Sequence, residues 1–366
     1  MKTFKMKQKL SKSHKMALIA IGIMFTFGIA TAQTEQSEQK SFPAQVSIFY
    51  PMGTHGQQSV DYQYNFSLNL FYGRIGGLNG VEVSGLVGRV DGDAKGIQVA
   101  GFGNASGNVL GIQVAGLGNA SGNVLGIQVA GLGNASGNVL GIQVAGLGNA
   151  SGNVRGIQVG GIANVAAEME GLQIAGIYNR SQTLRGLQVG LISVNDTIES
   201  GGSLSLVNIV RRGFYRSWEV SVADYSNFAV TYRMGTRTLY TIYTVGANFI
   251  EDNLWNVGIG FGHRRAINNN LDFRPEIVSY NYFRFPRDFK GMQPTFSTHL
   301  KFGFVYQVSE NFGLSLAPSV FVLNSQMKES ALGRHYIVSS INPFYTYEKN
   351  NWQTAIGVGV SLGVNF

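Results

Sequence analysis

The residues able to do chemistry are few and scattered. The chain holds five histidines and no cysteine, so no disulfide, thiolate metal site or cysteine nucleophile can form. His14 lies in a basic leader, and His55, His263, His299 and His335 have no second histidine or carboxylate at metal-ligand spacing. HExxH and P-loop sequences are missing; the letters GxSxG occur from Gly359 to Gly363, inside an alternating strand pattern, and the glycines from Gly258 to Gly262 likewise follow strand alternation and open no helix. A barrel enzyme would set a histidine beside a serine or aspartate at one rim. Alternation turns His299 toward an inner face, but no partner for it is visible in sequence. The expectation is no catalytic residue, no metal and no cofactor. Asn104, Asn119, Asn134 and Asn149 each begin an Asn-Ala-Ser triplet, which matches a glycosylation sequon but reads as turn chemistry.

Those triplets belong to a repeat of fifteen residues. Units begin at Gly96, Gly111, Gly126, Gly141, Gly156, Gly171 and Gly186, with a weaker relative from Gly80. From Leu110 to Asn119 the chain alternates with period two, which predicts a strand, and the recurring glycine disfavours helix. Two architectures accept such a unit. In an antiparallel meander an even loop about Ala120-Ser121 sets Ile112 opposite Val129, and Gln98, Gln113, Gln128, Gln143 and Gln158 line a lumen. In a β-solenoid each unit is one rung, and Asn104, Asn119, Asn134 and Asn149 stack as a ladder.

The rest of the chain alternates too. From Trp352 to Phe366 one face is Trp, Thr, Ile, Val, Val, Leu, Val, Phe and the other is Gln, Ala, Gly, Gly, Ser, Gly, Asn. An apolar outer face with terminal aromatics and a small polar inner face suits a lipid-facing barrel strand. Segments at Tyr64–Tyr72, Trp255–Phe261 and Phe296–Tyr306 repeat the pattern, and no charge occurs from Gly96 to Val154. A soluble β-sandwich accounts poorly for both features. The fold class expected is all-β: an antiparallel transmembrane β-barrel on the order of 18 to 20 strands, one sector of it built from the repeats. The alternative is a β-solenoid segment joined to a smaller barrel.

Lys2, Lys5, Lys7, Lys9, Lys12 and Lys15 precede an apolar run from Ala17 to Ile29 and the small-residue site Ala30-Thr31-Ala32. This order predicts a Sec-type signal over residues 1–32, cleaved between Ala32 and Gln33; the run is short for a spanning helix. Removing it takes six lysines and no acid from a formal +8, leaving 22 basic against 20 acidic residues, a net +2. A nucleic-acid partner loses its support. The remainder, 33–366, reads as one barrel with repeats at 80–200 and aromatic-rich strands at 216–366.

"GLQIAGIYN" and "GLQVGLISV" resemble the surface repeats of exported proteins from spirochaetes and Bacteroidetes. The stretch from Arg216 to Gly246 is similar to the segment following such repeats in Bacteroidetes outer-membrane proteins. Together these cover about half the chain; the first four units depart by having Ala-Gly where Gly-Leu is usual. The resemblance implies a Gram-negative outer-membrane location and brings no functional residues. Outer-membrane lipid is then one partner, and the barrel-assembly machinery, reading the terminal Phe366, is another. The functional expectation is a passive pore or transport barrel with surface-exposed turns. A structural or adhesive surface protein is the alternative, and an outer-membrane enzyme comes third. The solute or surface ligand is not encoded in any motif.

Overall fold

The computed structural model describes residues 40–249, 254–284, 295–309, 312–326, 328–330, 333–335, 343–349 and 352–366. The expected cleavage site at Ala32 and Gln33 lies outside them. Each fifteen-residue unit from Gly96 to Gly156 contains two strands, such as Val109–Ala115 and Gly118–Ser121, with bends at Gly116-Leu117 and Gly122-Asn123, and the last rungs run together in Tyr178–Arg212. The chain therefore turns twice per unit and returns to its start one rung further on. Pairing is parallel and in register: Val124–Ala130 lies between Val109–Ala115 and Val139–Ala145, every residue beside its equivalent. The four-residue strands stack in the same way. The product is a two-layer β-solenoid of about eight turns, with one wide and one narrow sheet.

This settles the architecture for the solenoid alternative and corrects the meander. Ile112 lies beside Ile97 and Ile127 rather than opposite Val129, and the repeats contribute no barrel sector. The physical reason is the bend at Gly116-Leu117, which breaks the ten-residue strand that alternation suggested. A parallel stack then sets each side-chain amide against its own copy, where it finds a donor and an acceptor. Ser41–Phe49 and Gln63–Ile75 add the first rungs, also in parallel, so the segment Tyr64–Tyr72 belongs to the solenoid and not to the barrel. Phe42, His55, Tyr62 and Tyr64 pack together at that end, and His55 Nδ1 lies 3.0 Å from the Tyr64 hydroxyl.

After Gly213 the period is lost and eight antiparallel strands form a closed barrel. They are β1 (Tyr215–Ala223), β2 (Ser226–Gly235), β3 (Tyr240–Asn248), β4 (Leu254–Gly262), β5 (Leu271–Arg284), β6 (Thr295–Ser309), β7 (Phe312–Gln326) and β8 (Trp352–Asn365). Closure comes from β8 returning to β1, with Ser361 to Asn365 against Ala223 to Glu219. A further strand, Pro343–Lys349, pairs with the first half of β8. The alternation read from β8 holds in space: Trp352, Ile356, Val358, Val360 and Leu362 face out, while Gln353, Ala355, Gly357 and Ser361 face in. The ring has eight strands rather than 18 to 20 because residues 41–212 coil instead of spanning.

The two parts are joined on the barrel's outside. Tyr240 and Ile242 point into the barrel core, so Thr241 between them faces outward, where its hydroxyl donates to the Ser205 carbonyl of the last rung at 2.6 Å. Thr238 Oγ1 likewise donates to the Gly201 carbonyl at 3.0 Å. The barrel wall thereby caps the open end of the solenoid, whose last backbone acceptors would otherwise lack partners.

Candidate functional site

The barrel interior is a candidate site because inward positions carry charge. Arg233 on β2 donates to both oxygens of Glu276 on β5, at 2.7 and 3.1 Å. Its third nitrogen, Nη1, stands 3.3 Å from Glu219 as an ion pair without hydrogen-bond alignment. Arg274 completes the group, 3.8 Å from Glu219 and donating to Asn365 Oδ1 at 2.7 Å, while the Tyr240 hydroxyl donates to Glu276 at 2.8 Å. Two arginines thus neutralise two glutamates, and each of the four is buried. Bidentate arginine geometry is what makes such a desolvated group tolerable.

Above this cluster the interior is aromatic. His299 faces inward, as alternation indicated, and its ring lies 4.4 Å from Tyr225, 5.0 Å from Tyr280 and 5.0 Å from Phe321 between centroids. Its Nε2 meets Ser297 Oγ at 2.9 Å, and among the described residues no carboxylate bonds to it. Lys301 lies over the rings of Tyr225 and Tyr280. His263 Nδ1 meets the Thr238 carbonyl at a rim. No three His, Cys, Asp or Glu residues among those described are grouped to hold a metal ion. An eight-stranded barrel is just wide enough for side chains to fill, and tyrosines, arginines and Phe321 fill this one.

The glutamines assigned to a lumen occupy a different interior. Gln98, Gln113, Gln128, Gln143 and Gln158 are buried between the two sheets of the solenoid, so they line no barrel. Each amide nitrogen donates to the glutamine one rung earlier, as from Gln128 to Gln113 at 2.7 Å and from Gln143 to Gln128 at 2.8 Å. The run extends from Gln188 down to Gln98, and it ends on a carboxylate, Glu82, at 2.7 Å. Asn104, Asn119, Asn134 and Asn149 form the ladder expected of a solenoid, each donating onward at 2.8 to 2.9 Å. Their second amide hydrogen reaches a backbone carbonyl, as from Asn119 to Val129. Within the ladders the buried amides thereby satisfy one another, and only the Asn104 Oδ1 at the start of the asparagine run has no donor.

Glu82 is the one ionisable group in the glutamine ladder. Burial pushes its carboxyl up to about 7, with hydrogen bonds from Gln98, Asn69 and Ser67 offsetting part of that rise. Below the ordinary value of 4.5 the group is neutral in both folded and unfolded chains. Between 4.5 and about 7 the unfolded chain ionises while the folded chain resists, so stability falls as pH rises through that window, by about 3 kcal/mol in all. In Glu82→Gln an amide continues the ladder toward Ser67, and that loss disappears. Thermal melts of both proteins from pH 4.5 to 8 check this; a variant keeping the wild-type slope refutes it.

Outside the ladders the solenoid has an inverted polarity. Leu110, Ile112 and Val114 point outward from the wide sheet, Leu117 protrudes at the bend, and their equivalents recur rung by rung. Beside the leucine column runs an open groove of about 690 Å³, edged by Asn108, Asn123 and Asn138. Phe366 completes β8: its backbone bonds to Trp218 in both directions, and its ring meets Phe312 edge-on. Sequence reasoning missed Glu219, Arg233, Arg274 and Glu276; charged residues at inward positions of alternating strands were the available signal. Comparisons with protein-family models, with curated proteins and with solved structures found no match.

Proposed function

We propose that this chain is an outer-membrane protein in which the barrel is an anchor and the solenoid is the working surface, held on the periplasmic side. The observation that carries the reading is the filled interior of a closed eight-stranded barrel whose outer face is apolar. A ring packed with tyrosines and a neutral Arg–Glu group offers a solute no path, which favours the structural reading over the pore. The expected signal at 1–32, the apolar outer face of the barrel and the resemblance to exported repeat proteins support the location. An even number of strands puts both ends of the barrel at one rim, so the solenoid enters where Phe366 closes. The strand ends Arg284, Thr295, Gln326 and Trp352, between which the longest connections run, lie at the other rim, and outer-membrane barrels turn long loops outward and short turns to the periplasm.

Two measurements test this. Purified protein in a planar bilayer should give no steady current; a stable open-channel conductance overturns the anchor reading in favour of transport. On intact cells a membrane-impermeant maleimide should label Phe344→Cys, which is exposed on the loop side. Asn123→Cys should react only after the outer membrane is breached. The reverse labelling order places the solenoid on the cell surface instead.

A further inference from the structure

The outer surface of the solenoid is unusual for a body in water. Three columns of Leu, Ile and Val cover the wide sheet, represented by Leu110, Ile112 and Val114, and a fourth column with Phe102, Leu117, Leu147, Ile162 and Ile177 stands at the bend. The charged members of the Leu110 column stand only at its ends, at Lys95 and from Arg155 onward. At rung and residue spacings of a β-sheet the apolar face measures roughly 40 by 20 Å, on the order of 800 Å². Monomeric soluble proteins rarely expose contiguous patches beyond a few hundred Å². The polar side chains meanwhile are inside, in the amide ladders.

We infer that this face lies in the headgroup and acyl boundary of the leaflet next to the barrel's short-turn rim, so that the solenoid rests along the membrane as an interfacial element. The inference rests on the anchor reading. Three observations select lipid as the occupant. The last rung is fastened to outward-facing Thr241 on the barrel wall, and the exposed Leu206 and Val207 at the bend of that rung stand next to the surface that lipid contacts in the anchor reading. The apolar column at the bend therefore leads onto the outer face of the barrel. Protruding side chains at the bend also argue against a second copy, since two flat sheets pack face to face and leave the Leu117 column in water. A fluid acyl layer wraps face and bend alike. Finally, the stacked rungs bond their backbone groups to one another along the axis, which contact with hydrocarbon requires.

The chain has no cysteine, so single reporters can be placed cleanly. Leu117→Cys and Ile127→Cys report on the apolar face, Ala135→Cys on the narrow sheet and Val257→Cys on the barrel exterior. Each full-length variant is labelled with bimane and reconstituted into phosphatidylcholine vesicles containing nitroxide-labelled lipid. Quenching at positions 117 and 127 should fall within about twofold of that at 257, with position 135 left largely unquenched. If 257 is quenched but 117 and 127 behave like 135, the solenoid stands clear of the bilayer and this inference alone fails. If 117 and 127 are shielded from lipid and aqueous quenchers, and the shielding is lost on lowering the protein-to-lipid ratio, the occupant is a second copy and the inference is overturned. An unquenched 257 removes the anchor reading and this inference with it.

Discussion

Gly126→Val unfolds the middle of the solenoid, whereas deletion of all fifteen residues 126–140 leaves it standing. Gly126 has φ +146°, a conformation that valine avoids, and a β-carbon there would lie 1.9 Å from the Gly111 carbonyl oxygen. The backbone strain and the overpacking together cost about 2–5 kcal/mol. That loss falls on a linear array in which each rung is held only by its neighbours, so one bad rung uncouples the two halves. The deletion joins Leu125 directly to Gly141, a junction already present between units. Gln143 then meets Gln113, and every ladder closes one rung shorter. Circular dichroism and limited proteolysis separate the outcomes: cleavage within 110–140 for the substitution, and a wild-type pattern for the deletion. A deletion as damaging as the substitution contradicts the rung-by-rung account. An antiparallel barrel sector would respond differently, since losing one strand reverses all that follow.

Arg233→Ala destabilises the barrel by about 3–5 kcal/mol, the usual loss when one partner of a buried ion pair is removed. The substitution strips Glu276 of a bidentate partner and leaves two buried glutamates sharing Arg274. The double variant Arg233→Met/Glu276→Met removes one charge of each sign and keeps the neutral Arg274–Glu219 pair, so it recovers most of the loss. Guanidinium unfolding of the refolded protein, followed by heat-modifiable gel migration, measures both. Equal destabilisation by the single and double variants would show that packing, not charge balance, sets the effect. Leu300→Ala, on the outward face of β6, is the control expected to leave migration unchanged.

The barrel strands and the solenoid were legible to different degrees, for a physical reason. Alternation belongs to one strand, and β8 could be read residue by residue, as could the inward turn of His299. Pairing belongs to two strands, and here fifteen residues of alternating small and branched side chains satisfied both architectures. Gly116 and Leu117 fit the alternation of a continuous strand as well as they fit a bend. The same glutamines therefore read as lumen lining in one architecture and form an interior ladder in the other. Arg233 and Glu276 stand 43 positions apart on strands that are not sequence neighbours, so no local spacing announces their contact. The odd period preserves a meander's apolar face through even loops, while its constancy suits the stacked rungs of a solenoid.

The glutamine ladder has a direction, since every amide donates toward Glu82. Its two ends are chemically distinct: the Glu82 carboxyl group stands at one, and Asn195 with Ser203 donates to Gln188 at the other. Between them the near-identical units from Gly96 are interchangeable, because each sees the same neighbour on either side. Tandem duplication or loss of DNA can therefore change the chain in whole rungs without touching either terminus. The body behaves as a ruler graduated in steps of about 4.8 Å, its reach along whatever it lies against set by how many copies the gene carries.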